Sequence, residues 1–147
     1  MTLVAADDGR GVRTDRALRL VAAALVLVGI GIAGYLTWVH YAGLSPLCVG
    51  GGGGCERVQT SSYAKVVGVP VALLGLIGYV SIAATLLVDR PAWRLAGAAL
   101  ALAGLCFSLY LTYLELAVID AICQWCVASA VVMTLLAIVL TVRALRV

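Results

Sequence analysis

Apolar residues fill four stretches of this chain, and the charged residues fall between them. The intervals Arg19–His40, Lys65–Asp89, Arg94–Glu115 and Asp120–Arg143 enclose 20, 23, 20 and 22 residues without a charged side chain. Each is about 30–35 Å long as a helix rising about 1.5 Å per residue, which matches a bilayer core of roughly 30 Å. The pattern predicts membrane spans over about 18–39, 67–88, 95–115 and 121–142, in one domain covering 18–143. Residues 1–17 read as a disordered tail and 144–147 as a second short tail. Small residues recur inside the spans: Gly29, Gly31 and Gly34, then Gly75 and Gly78, then Gly97, Ala101 and Gly104. They let helices approach closely where lipid removes the hydrophobic drive for packing. The expected fold class is all-α, a polytopic membrane four-helix bundle whose outward loop carries a short interfacial helix. Gly29 to Gly34 also match G-x-G-x-x-G, but a nucleotide site needs a preceding strand and a later acidic residue, so the glycines read as packing positions.

Composition agrees. The 147 residues are 64% hydrophobic and 12% charged, against about 45–50% and about 25% in an ordinary soluble domain. A soluble globule, a nucleic-acid binder and a secreted disulfide scaffold are excluded. The partner of most of this surface is a lipid bilayer.

Charge then orients the spans. Arg10, Arg13, Arg16, Arg19, Arg90, Arg94, Arg143 and Arg146 fall on one side, and only Arg57 and Lys65 on the other. Short basic segments stay in the cytoplasm, so both termini are expected there and the loops 40–65 and 115–121 outside. The net charge of +3 is a topology signal. The first span is too long for the apolar core of a signal peptide, about 7–15 residues, and Pro46 follows the one small-x-small site, so it reads as a retained anchor.

Topology also sorts the five cysteines. Cys48 and Cys55 lie in the outward loop, Cys123 and Cys126 at the outward end of the last span, and Cys106 in mid-span, where a small thiol is ordinary filler. Four sulfurs therefore face the compartment where disulfides persist. The loop pair brackets five glycines, a floppy tether that lets two thiols pair, part and pair elsewhere, or simply a linker. Thr60 to Ser62 could cap a short interfacial helix through Tyr63, Ala64, Val66 and Val67.

Cys123-Gln124-Trp125-Cys126 is a C-x-x-C at the first turn of a helix, with Asp120 as the expected N-cap. That spacing brings two sulfurs within reach of a reversible disulfide, and the helix dipole favours thiolate there while apolar surroundings oppose it. Two pairs at one membrane face suggest a relay by thiol–disulfide exchange. The loop pair can reach an external dithiol, and a membrane-soluble quinone suits the pair anchored near lipid. Static disulfides and an all-cysteine zinc site compete with this reading, although zinc ribbons usually offer two C-x-x-C knuckles and the loop pair is separated by six residues.

Cys48 and Cys55, then Val58, Ser61 and Gly68-Val-Pro-Val-Ala-Leu-Leu-Gly75, resemble the bacterial vitamin K epoxide reductase family. So do Ser108-Leu-Tyr-Leu-Thr112 and Ile122-Cys-Gln-Trp-Cys126. The resemblance covers about 18–143. It implies a four-helix bundle around a quinone (menaquinone or ubiquinone) and no metal. By the same resemblance Cys48 exchanges with a separate secreted or periplasmic thioredoxin-fold protein, Cys55 passes electrons to Cys123, Cys126 lies next to the quinone, and Ser61 assists there. The implied activity is reoxidation of that partner at the inner (cytoplasmic) membrane. Reduction of vitamin K epoxide or quinone is one alternative, and a non-enzymatic tetraspan protein with structural disulfides or zinc is another. Two departures stand out: Val71 and Ala130 occupy positions where many relatives carry a hydrogen-bonding Asn and Tyr.

Trp125 lies inside the motif and is a candidate to stack on the quinone. Trp38, Tyr41, Tyr113 and Trp125 form an expected interfacial aromatic belt. His40 reads as an interfacial loop residue with a proton relay as the lesser reading, and Glu115 and Asp120 as surface charge and helix caps with proton supply to the quinone as theirs.

Overall fold

The computed structural model describes residues 2–48, 53–62 and 65–146. Helix α1 spans Thr2–Ala42 and α2 Gly54–Thr60. A two-stranded antiparallel hairpin follows, β1 Lys65–Val66 and β2 Val69–Pro70. Then come α3 Val71–Leu87, α4 Pro91–Leu114, a π-helical turn Glu115–Ile119, and α5 Gln124–Leu145.

Among the described residues three helical stretches, Gly9–Ala42, Pro91–Ile119 and Gln124–Leu145, are long and apolar enough to cross a membrane. Only 33%, 17% and 28% of their apolar windows are buried, so most of this surface needs an apolar solvent. The protein is a membrane protein on this ground. The fourth apolar helix, α3, has 17 residues, shorter than the span expected from residue 67. The reason is local. Val67 and Gly68 both take positive φ, 52° and 80°, and form a two-residue turn that pairs Lys65 with Pro70 and Val66 with Val69. Pro70, paired with Lys65 and extended at ψ 136°, is the N-cap, so the helix begins at Val71.

Two further expectations are corrected. The short loop helix is α2, which starts at Gly54 and ends at Thr60, whereas Val66 in the stretch expected as helix is a strand residue. Tyr63 and Ala64 of that stretch lie outside the described residues. The first helix starts at Thr2 and so runs through the segment expected as a tail. Asp15 on it pairs with Arg94 and Arg143, which ties that segment to α4 and α5.

Helix α1 packs on α3 and α5, and α4 on α3 and α5. Ala22, Val26, Ile82, Ala101 and Leu136 form the driest part of the core. A Cβ at Gly29 would fall on the Tyr79 ring, which is why the two helices meet there. At one end of the helices Arg143, 1% exposed, bridges Asp15 and Asp89, and Arg94 bridges the same two carboxylates. Arg19 adds a bond to the Leu86 carbonyl, 2.6 Å from Nη2. Cys48, Cys55, Cys123 and Cys126 occupy the opposite end, where Trp38, Tyr41 and Tyr113 are exposed as an interfacial belt requires.

Candidate functional site

The end of α1 is set by Gly43 at φ +68°, with the Leu44 amide donating back to the Val39 carbonyl. The chain then runs extended to Leu47, where two aromatic side chains hold it. The Leu47 amide donates to the Tyr35 hydroxyl at 3.0 Å, and the Trp125 indole N–H donates to the Leu47 carbonyl at 2.7 Å. The Tyr35 and Trp125 rings lie 4.9 Å apart, tilted by 46°. This latch fixes the residue before Cys48 against α1 and α5 at once.

Cys48 is joined to Cys55 by a disulfide, with Cα atoms 6.2 Å apart. Cys55 sits on the first turn of α2. Gly54, just before it, lies against the Ile122 carbonyl so closely that a Cβ there would collide with it. Because Ile122 precedes Cys123, this close approach lays the loop pair on the helix pair. Cys55 and Cys123 are 1% and 0% exposed and belong to one small core with Val58 and Ala121, on which Cys48 and Cys126 pack. The four cysteines of the two pairs are thus gathered in one cluster, Cys48 and Cys55 as a disulfide.

Cys123 is itself the N-cap of α5, and its sulfur accepts the Cys126 amide at 3.4 Å. The expected cap, Asp120, instead ends the π turn. It takes φ 56°, a left-handed conformation that a short polar side chain tolerates, and its amide donates to the Glu115 carbonyl. Glu115 is not surface charge. It is 4% exposed, accepts the Cys123 amide on Oε2 at 3.2 Å, and is hydrogen-bonded to the Cys126 thiol.

A cavity of about 170 Å³ lies beside this cluster, walled mostly by apolar side chains of α1, α3, α4 and α5. A dry cavity of about 150 Å³ takes a benzene ring, so this one has the size for a quinone ring. Cys126 and Glu115 open onto it, and Cys123 does not line it. Ser61 lines it too, with its hydroxyl donating to the Val58 carbonyl at 2.8 Å. Trp125 is not among the lining residues; its ring is engaged by Tyr35 and Leu47. Val71 lines the cavity without a polar group, and Ala130 does not reach it.

Sequence reasoning missed Tyr79 and Ser129. The Tyr79 hydroxyl donates to the Ser129 carbonyl at 3.0 Å and lies 2.9 Å from the Ser129 hydroxyl, and both residues line the cavity. A polar residue in mid-span facing inward is the signal that could have found them. A family model described as the vitamin K epoxide reductase family matches residues 20–141.

Proposed function

The chain belongs to the vitamin K epoxide reductase family, a family of membrane thiol/quinone oxidoreductases, and we propose that it reoxidises a secreted thioredoxin-fold partner at the expense of a membrane quinone. The observation that carries this reading is the single cluster of four sulfurs with Cys126 alone opening onto a ring-sized apolar cavity.

The electron path follows from which sulfur is reachable by what. A thiolate of the partner attacks Cys48, the Cys48–Cys55 bond breaks, and Cys55 leaves as thiolate. The partner's second thiolate attacks its own sulfur of the mixed disulfide and releases Cys48, so the partner departs oxidised. Cys55 then attacks Cys123 of an oxidised helix pair, and Cys126 leaves as thiolate beside the cavity. Cys48 attacks Cys55, restoring the loop disulfide and freeing Cys123. Two electrons and two protons now reside on Cys123 and Cys126. A quinone in the cavity supplies the two-electron acceptor: the Cys123–Cys126 bond forms, both S–H bonds break, and quinol leaves.

Tyr79, Ser129 and Ser61 bring hydroxyl groups to the cavity wall, where Val71 and Ala130 bring none, and Tyr79 and Ser61 would donate to a ring oxygen by giving up their bonds to the Ser129 and Val58 carbonyls. Trp125 supports quinone binding indirectly, as the latch on Leu47. The basic residues favour an orientation with both termini in the cytoplasm and the sulfurs outside, in the inner membrane.

The test uses purified protein, a reduced thioredoxin-fold dithiol oxidase and a short-chain menaquinone or ubiquinone analogue. Quinol should form one for one with partner disulfide and stop in Cys126→Ala. Turnover that survives Cys126→Ala overturns the mechanism, and stoichiometric zinc with unreactive thiols overturns the enzymatic reading.

A further inference from the structure

None of the steps above uses the buried carboxyl of Glu115. Its backbone is fixed, since its carbonyl receives the amides of Asp120 and Ala121 as the chain turns back into α5. Its side chain meets the cavity, the Cys123 amide and the Cys126 thiol together. Among the described residues every ion pair joins Asp15 or Asp89 to Arg94 or Arg143 at the opposite end, and none reaches Glu115. Two adjacent anions in an apolar site, with no cation between them, repel strongly. The Cys126 sulfur and the Glu115 carboxyl therefore hold one proton between them, and moving it to Glu115 leaves a nucleophilic sulfur on the cavity.

We propose that Glu115 is the proton carrier of quinone reduction, taking the Cys126 proton as the sulfur becomes a thiolate and releasing it to a quinone oxygen. This rests on the quinone reading above. The balance is complete: Cys123 and Cys126 lose two electrons and two protons and gain an S–S bond, and the quinone gains both electrons and both protons. The Cys126 proton travels through Glu115. As the Cys123–Cys126 bond forms and the electron pair passes to the quinone, the Cys123 proton follows through the same carboxyl, emptied by the first transfer. The other cavity hydroxyls do not serve, because tyrosine and serine stay protonated near neutral pH.

Glu115→Gln separates this role from a structural one, since the amide keeps an oxygen for the Cys123 amide but cannot carry the proton. Single-turnover quinol formation from pre-reduced protein should fall about 100-fold or more, the usual scale of lost acid–base catalysis. Glu115→Asp, which keeps a carboxyl, should recover part of the loss. The second readout needs no quinone. An infrared difference spectrum between protein with Cys123 and Cys126 reduced and oxidised should contain a carboxyl band that vanishes in Glu115→Gln. An unchanged single-turnover rate in Glu115→Gln overturns the proposal, and so does the absence of that band. Wild-type protein that reduces no quinone instead overturns the parent reading, and the band still decides whether Glu115 trades a proton with Cys126.

Discussion

The indole N–H of Trp125 donates to the carbonyl of Leu47 at 2.7 Å, across 78 residues of sequence. One motif residue thereby holds the loop whose cysteine the motif must receive. Trp125→Phe keeps a ring against Tyr35 and loses only the bond. A net hydrogen bond is worth about 0.5–1.5 kcal/mol, so the docked loop should lose about 2- to 12-fold in population. Cys48 should become more open to alkylation after reduction, and exchange between Cys55 and Cys123 slower by a similar factor. Mass spectrometry of alkylated protein measures the first and quenched-flow trapping the second. Equal rates in both proteins would remove the latch from the account.

Gly54→Ala tests the contact that brings the two pairs together. The new Cβ must displace the Ile122 carbonyl or lift α2 away. Overpacking of this kind costs about 1–3 kcal/mol. The yield of a Cys55–Cys123 crosslink under mild oxidation should fall by about tenfold, while the Cys48–Cys55 disulfide, within the lifted segment, still forms. Peptide mapping without reductant distinguishes the two. An undiminished crosslink would mean that the loop reaches Cys123 by another approach.

The opposite end of the helices supplies a pH dependence. The Arg94 guanidinium, donating to Asp89 at 2.9 Å, holds that carboxyl below the usual carboxylate range. A folded-state pKa below the unfolded one stabilises fully above the ordinary carboxylate value of about 3.9 and is lost as pH falls through the folded value. The thermal midpoint in detergent should hold steady from neutral down to about pH 5 and then decline. Asp89→Asn should start lower at neutral pH and decline less. Asp89 is 43% exposed, so solvent screening keeps this contribution small. Parallel acid slopes for the two proteins would place the acid sensitivity elsewhere.

The sulfur positions and the apolar helices were legible because each rests on a local pattern. The four uncharged windows contain all of α3, most of α4 and α5 and about half of α1, and the cysteine spacing already pointed to two pairs. The burial of Glu115 was not legible, and the reason is physical. A carboxylate ends an apolar window whether it turns to water or inward, and here the π turn and the fold-back of Asp120 and Ala121 turn it inward. Asp15 was misread for a related reason. Its partners Arg94 and Arg143 lie 79 and 128 residues away, so its own neighbourhood, rich in charge and glycine, resembles a tail. The start of α3 depended on Val67 accepting a positive φ, which a β-branched residue rarely does.

Cys126→Ala gives the sharpest test of the electron path. In the wild type, a disulfide between Cys55 and Cys123 is resolved from either side, by Cys48 or by Cys126. With Cys126 removed only Cys48 can resolve it, so Cys48→Ala combined with Cys126→Ala leaves none of the four sulfurs to do so. The two remaining sulfurs are buried side by side in one small core. Oxidation should therefore drive the double variant almost wholly into one Cys55–Cys123 disulfide, seen as a single shift on non-reducing gels that reductant abolishes and as one crosslinked peptide pair. Cys55→Ala with Cys123→Ala leaves Cys48 and Cys126, and should crosslink at least tenfold less, because both lie at the edge of that core, with Cys48 tied to the latched Leu47, rather than buried within it. The two double variants contain the same number of cysteines, so random oxidation predicts equal yields. A higher yield from Cys48 with Cys126 would reverse the order of the relay and make Cys48 the sulfur that hands electrons inward.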